Sequence, residues 1–484
     1  MSKPLSRQLH LGLMFWATGT HSAGWRHPLA KSDGAYDIEF IQEISASAER
    51  AGFDFIFLGD RLVADPALAK TNPGQMSRLE PFVVASAIAA ATDRIGVVVT
   101  TNTTYGDPYT VARMMASLDH ISKGRASWNI VTGADPAAAL NFSRLEHWDN
   151  ERRYGWADEF TNAVLRLWDA WPDSAYRAAG TAAQLQIDQV ERLDIRGKHI
   201  NIEGALNLPR PPQGHPVLLH AGTSDNSREF GARYADVLFT GQAVLSDAQE
   251  YYRDVKSKAR RYGRNPDDIK ILPGLVVIVE ETTTAAVRTY DALNRLITLD
   301  PEDPLEEAIG GDGQSKPHFQ YVGLGRGARR NLTLASEALG VDVRGHAHDE
   351  LVPSEVLEQA SPAGKDIFAY ITRLTRRTVT AADPAQRITY LDLIHASIAQ
   401  TSAVVGNPVE VADYMQQWLD EGAADGFNIF PSFLPYSMDR FAELLVPELQ
   451  RRGIFRRNYD GATLREHFGL ARPAASHSKV AETA

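Results

Sequence analysis

Short apolar runs, each followed by a longer stretch with helical spacing, recur from one end of this chain to the other, and few architectures fit that alternation. The runs are 9–15, 53–58, 95–100, 126–131, 217–220, 237–240, 269–279 and 426–430, most of them rich in β-branched or aromatic residues. The spacing predicts helices over 36–51, 81–91, 108–121, 151–170, 226–234, 247–262 and 283–296, with 408–421 before the last strand and 438–452 after it. Eight such units predict the α/β class and a closed (β/α)8 barrel of the TIM type. An open doubly wound sheet with a second domain shares the periodicity, and the strand count favours the barrel.

Two connections exceed ordinary loops. Residues 172–216 read as an irregular excursion with some β content, and 298–401 as an insertion with its own helices, a candidate lid over the C-terminal rim. Residues 1–472 are thus expected to form one barrel domain with insertions, and the small, polar 473–484 a flexible tail.

Composition narrows the chemistry. The 484 residues include no cysteine, which excludes disulfides, thiolate metal sites, iron–sulfur clusters and a cysteine nucleophile. A net charge of −11 disfavours nucleic acid or an anionic membrane as partner. Neither a basic-then-apolar leader nor an apolar run of spanning length is visible, so the expectation is a soluble, cytoplasmic protein.

Polar groups gather where the strands end. Gly59-Asp60-Arg61 follows the second run, Thr100-Thr101-Asn102-Thr103-Thr104 closes the third, and Trp128-Asn129-Ile130-Val131-Thr132-Gly133 closes the fourth. Asp60 reads equally as a turn or capping residue, but several strands delivering polar groups to one rim point to a ligand site. After the fifth run, Gly222-Thr223-Ser224-Asp225-Asn226 enters a helix, so free N–H groups and the Ser224 hydroxyl are suited to a phosphate; a plain helix cap is the other reading. His21 to Pro28, after the first run, brings together an imidazole, the Trp25 indole and the Arg26 guanidinium. The glycine-rich 321–328 lacks a surrounding βαβ unit, and His346-Ala347-His348-Asp349 lacks a second ligand cluster, so neither a dinucleotide loop nor a metal site is expected there. Paired carboxylates and a Gly-x-Ser-x-Gly elbow are both missing, which leaves hydrolysis without apparatus.

The chain resembles the nitrilotriacetate monooxygenase and dibenzothiophene-sulfone monooxygenase branch of the luciferase-like flavin monooxygenases. The resemblance is carried by His21 with Trp25-Arg26, Glu80-Pro81, Pro108-Tyr109, Leu118-Asp119-His120, Gly124-Arg125, Trp128 to Thr132, Arg153-Tyr154, Leu167-Trp168-Asp169, Ala221-Gly222 with Ser224, Asp425-Gly426-Phe427-Asn428 and Val446-Pro447-Glu448-Leu449-Gln450. Four positions depart from the family pattern: Asn102 and Gly133 stand where serine is expected, Asn150 where histidine often precedes the tyrosine by four, and His220 where glutamine is usual.

The resemblance implies a bacterial-luciferase-like barrel binding FMN at the C-terminal rim, with Asp60, Thr100, Asn102, Asn150, Tyr154 and Ser224 at flavin positions, the last two near the phosphate. It implies a two-component monooxygenase: a separate NAD(P)H-dependent reductase supplies reduced FMN, and O2 is activated as a C4a-(hydro)peroxyflavin. A small organic substrate is then oxidised beside a C–N, C–S or C–halogen bond. Phe15 and Trp25 are the candidates for the substrate side. His21 and Arg26 are the candidate catalytic residues, Arg26 being suited to an anionic substrate or the oxygenated flavin. A homo-oligomer, dimer or tetramer, is expected by the same analogy. Hydride transfer through a deazaflavin, or flavin binding without turnover, remain as alternative activities of the same fold.

Overall fold

The computed structural model describes residues 7–64, 76–133, 135–179, 182–300, 330–397 and 402–475. Strands β1 (His10–Phe15), β2 (Phe55–Leu58), β3 (Gly96–Asn102) and β4 (Ala126–Val131) are followed by two antiparallel hairpins, β5–β6 (Tyr176–Ala179, Ala182–Leu185) and β7–β8 (Leu193–Arg196, Asn201–Gly204). Then come β9 (Val217–Ala221), β10 (Val237–Thr240), β11 (Lys270–Val279), β12 (Ser402–Gly406) and β13 (Gly426–Phe430). The ring runs β1-β2-β3-β4-β9-β10-β11-β13 and returns to β1, every neighbour parallel, which is a closed TIM barrel. These are the eight strands expected, and the hairpins are the β content of 172–216. β12 was not expected. It pairs with Leu275–Val279, the upper half of β11, and its five residues SAVVG are too short a run for periodicity to separate from a loop.

Alternation along the strands sorts the core. Leu11, Leu13, Ile56, Val97, Val99, Trp128, Phe427 and Ile429 face the surrounding helices, whereas Met14, Phe55, Phe57, Val98, Leu219, Phe239, Leu272 and Phe430 fill the barrel. Leu464, Phe468 and Leu470 of the C-terminal segment close its floor.

At that floor the ring is fastened by one device used three times. Asp54, Asp236 and Asp425 each stand one residue before a strand. Asp54 donates its N–H to Leu11 O (2.7 Å) and accepts the Leu11 N–H on Oδ2 (2.8 Å). Asp236 does the same with Leu218 (2.7 and 2.9 Å), and Asp425 with Ile271 (2.8 and 3.0 Å). Each buried carboxylate has a cation, Arg456 on Asp54, Arg465 on Asp236, and Lys256 with Arg7 on Asp425, and His10 Nδ1 lies 3.1 Å from Asp54. Burial opposes ionisation of Asp54, but Arg456 and His10 outweigh it and hold its carboxyl below the usual range. Arg125 works differently: 2% exposed, it donates to the carbonyls of Ala89, Thr92, Ile95 and Ser122 and to Thr92 Oγ1, tying the end of helix Pro81–Ala91 to the turn before β4.

The described part of the long insertion holds helices Leu332–Leu339, Ser354–Gln359, Pro362–Thr375 and Tyr390–Ser397 around a cluster of their own, including Leu339, Val352, Phe368 and Leu393. Leu374 joins it to Leu293, Val405 and Phe433 beside the barrel. The glycine-rich 321–328 lies outside the described residues. So does most of the polar tail, although Arg472 pairs with Asp173 at 2.6 Å and Pro473 O accepts from Arg210 at 2.9 Å. His346 pairs with Glu350 (3.1 Å) and stacks on Tyr390, and no metal-binding group of His, Asp or Glu occurs among the described residues. Among them, too, no helix is long and apolar enough to cross a membrane.

Asp54→Ala removes one clamp and strands the Arg456 charge, so a loss of about 3–5 kcal/mol is expected in urea unfolding. Ala at exposed Asp460 on the same face is expected to stay within about 0.5 kcal/mol of the parent.

Candidate functional site

All the polar strand ends singled out in the sequence lie on the C-terminal rim, on the arc made by β2, β3, β4 and β9. Asp60 follows β2 half-buried. Its carboxylate accepts from Arg61 N at 2.7 Å, and burial raises its pKa. Beside it Arg78 donates to Gly59 O (3.2 Å) and lies over the Trp16 ring at 5.2 Å; burial lowers its pKa to about 10.

On β3, Thr100 faces inward and accepts from Asn129 Nδ2 on β4 at 2.8 Å, leaving Asn129 Oδ1 buried without a partner. Thr103 and Thr104 do not offer their hydroxyls to the rim. Both are fully buried and donate to the carbonyls of Val131 and Thr132. Asn102 Oδ1 accepts from Thr104 N at 2.9 Å, and a Cβ at Gly133 would overlap the Asn102 amide nitrogen. The two departures at 102 and 133 therefore explain each other: the larger amide fills the space that a side chain at 133 would take. Gly133 also has φ +69°, a conformation that disfavours serine.

The helix Asp225–Tyr234 begins at the end of β9 and points its free N–H groups at the rim. Ser224 caps it, accepting from Ser227 N at 3.3 Å, so the cap reading of Ser224 holds, while its exposed hydroxyl sits where an anion would meet the helix. Gly222, φ +142°, leaves no room for a Cβ against Ser227. Tyr154, from helix Asn150–Asp169, stands edge-on to His220 and Phe230 beneath this terminus, with ring centroids 6.2 and 6.0 Å away. Asn150, by contrast, is exposed at the first turn, where Asp149 does the capping. Arg153 reaches Thr132 Oγ1 (3.2 Å) and Gly133 O, tying this helix to the end of β4.

His220 is no rim residue. It alternates outward with Leu218, its Nδ1–H donates to Ile130 O (2.7 Å), and its Nε2 accepts the Ser227 hydroxyl (2.9 Å). Burial lowers its pKa to about 4, so it stays neutral and fixes Ser227 beneath the helix start.

The remaining candidates lie on the opposite arc. His21 accepts from Ala23 N on Nδ1 (3.2 Å), so the neutral ring carries its proton on Nε2 and donates it to Asn294 Oδ1 (3.2 Å). Burial, with Arg330 nearby, lowers its pKa to about 4. Arg26 lies 4.8 Å over the half-buried Trp25 and donates to Leu296 O and Thr298 Oγ1. Phe15 belongs with Leu11 and Leu13 to the layer against the helices. Trp16, in phase with Met14, is the residue turned into the barrel, its Nε1 buried without a partner. The period of two along β1, carried one residue past the strand, is the signal that would have selected Trp16. Arg78, distant from the other motifs in sequence, gave no such signal.

The overlap at 102 and 133 predicts a coupled pair. Gly133→Ser alone is expected to cost about 2 kcal/mol in thermal or urea unfolding. Combined with Asn102→Ser it should recover the overlap and leave about 1 kcal/mol of left-handed strain.

A family model described as Luciferase-like monooxygenase matches residues 14–425. Nitrilotriacetate monooxygenase component A of Aminobacter aminovorans is 38% identical over 98% of this chain and 99% of its own. N-acetyl-S-(2-succino)cysteine monooxygenase of Bacillus subtilis (strain 168) is 36% identical with the same shares covered. Among solved structures, a riboflavin lyase holding modified FMN and riboflavin superposes with a TM-score of 0.73 at 29% identity, over 96% of this chain and 97% of that one. The chain belongs to the luciferase-like monooxygenase family and is an enzyme, a monooxygenase.

Proposed function

We propose that this chain is the oxygenating component of a two-component system: it takes reduced FMN from a separate NAD(P)H-dependent flavin reductase and oxidises a small organic substrate with O2. The observation that carries the reading is the convergence on one arc of an anion-ready helix start at Gly222–Ser224, Tyr154 beneath it, and the strand ends at Asp60, Thr100 and Asn102. A phosphate fits the first group, because unpaired N–H donors and the helix dipole favour negative charge there. A flavin ring fits the second, where Asn129 Oδ1 and Trp16 Nε1 are buried polar atoms without protein partners. The relative named as a component A, and the FMN named in the solved riboflavin lyase, agree with this assignment.

When bound, reduced flavin supplies the two electrons with which one atom of O2 enters the substrate and the other leaves as water. The protein's share is placement and dryness. Ser224, Tyr154 and the helix N–H groups hold the phosphate, while Thr100, Asn102 and Asp60 orient the ring. The apolar barrel below, with Met14, Phe57, Phe239 and Phe430, keeps water from its inner face. The opposite arc, with Trp25, His21 and Arg26, then faces the substrate. His21 stays neutral across the physiological range, its Nε2–H held by Asn294 Oδ1, so it lines this arc without adding charge. The helices at 330–397 serve as part of a lid.

Anaerobic fluorescence titration with reduced FMN is expected to give saturable binding, weakened about tenfold (~1.4 kcal/mol) in Tyr154→Phe and in Ser224→Ala, each of which loses one charge-assisted hydrogen bond. Rapid mixing of the complex with oxygenated buffer is expected to oxidise the flavin more slowly than free reduced FMN is oxidised. An identical rate would contradict the proposal.

A further inference from the structure

Across the rim from the flavin arc, between β1 and β11, lies a group of cationic side chains whose charge is largely unanswered among the described residues. Arg26 spends its Nη1 on two neutral acceptors, Leu296 O at 2.8 Å and Thr298 Oγ1 at 3.1 Å. Two residues further along that segment, Asp300 N donates to Arg330 O at 3.1 Å and Arg330 N donates to the Asp300 carboxylate at 2.8 Å. Arg330 is thereby fixed beside the stretch that Arg26 holds. Its guanidinium donors have no acceptor among the described residues, and Nη1 is shut off from solvent. Among the described residues the nearby carboxylate is Asp300, which is engaged by the Arg330 main chain rather than by its side chain. His21 reaches the same place through Asn294, on the helix Thr283–Asn294 that leads into this segment, and His395 of the insertion adjoins His21. Asp291 and Asp392 also stand on these elements, but Arg377 takes both, at 2.5 and 2.8 Å.

Two guanidinium groups with mostly neutral partners, walled by buried side chains, make a local positive potential that an anion would answer. A planar fork of N–H donors matches a carboxylate in particular. We propose that Arg330, backed by Arg26 and flanked by His21, is the recognition site for an anionic, carboxylate-type group of the substrate, whose oxidisable bond then lies toward the flavin arc. This rests on the rim being the site of oxidation, and it names the substrate as a small organic anion.

The test uses the full chain at low ionic strength, with succinate and its uncharged analogue succinamide as probes in saturation-transfer NMR titrations. Succinate is expected to bind at least about tenfold more tightly than succinamide, with added salt reducing the difference. Arg330→Gln is expected to abolish the preference, while Arg330→Lys, which keeps the charge and loses the fork, retains part of it. FMN affinity should stay within about twofold in both variants, since Arg330 is not on the flavin arc. Equal binding of the two probes by the wild type, or a succinate preference that survives Arg330→Gln in a protein still binding FMN, overturns the proposal. Failure of the wild type to bind FMN bears on the flavin reading, and the comparison of the two probes is read independently of it.

Discussion

Closing eight parallel strands into a ring requires each pair to keep its register where little else holds it, at the floor where chain segments enter. Asp54, Asp236 and Asp425 meet that requirement through the backbone and the side chain at once: each gives its N–H to, and takes an N–H from, a single residue of the neighbouring strand. A buried carboxylate in this role needs a cation, because desolvation otherwise outweighs the hydrogen bond. The cations arrive from far away in sequence, Arg456 and Arg465 from the C-terminal segment and Arg7 from the N-terminus. Arg7 and the segment 456–470 thus belong to the barrel's foundation, and Leu464 and Phe468 of that segment plug it from below.

This division frees the opposite rim. With stability concentrated at the floor and in the apolar layers, the strand ends can afford polar groups without internal partners, such as Asn129 Oδ1 and Trp16 Nε1. The substitutions that set this chain apart from the family pattern are absorbed locally. Asn102 occupies the volume made available by Gly133, and His220 takes one carbonyl and one hydroxyl behind the helix start without entering the rim. Both arrangements leave the backbone at the ends of β3, β4 and β9 in place while altering what surrounds it.

Most of the ring was legible because parallel strands covered on both faces read as continuous apolar runs, and the residues between them carry helical spacing. β12 was not, since a five-residue run containing serine and glycine has no periodicity to detect. The polar strand ends could be assigned to one rim from sequence, and the resemblance named Tyr154 and Ser224, which the fold brings to the start of the same helix. Side-chain direction was harder. Phe15 and Trp16 differ by one position, and only the alternation along β1 decides which enters the barrel. Thr103 and Thr104 look as available as Thr100, yet their hydroxyls are committed to β4 carbonyls, a pairing that register alone determines. Arg78 and Arg330 reach the rim from outside the strand–helix units that the pattern reveals, and the shared clamp of the three aspartates becomes visible only when neighbouring strands are side by side.

A crystal structure of the protein soaked with FMN tests most directly whether the C-terminal rim is the flavin site. The expected result is the phosphate at the start of helix Asp225–Tyr234, within hydrogen-bond distance of Ser224 and Tyr154, and the ring across the ends of β2, β3 and β4 beside Asp60, Thr100 and Asn102. FMN bound elsewhere on the barrel, or a phosphate on the β1–β11 arc with the Gly222–Ser224 turn empty, would contradict it.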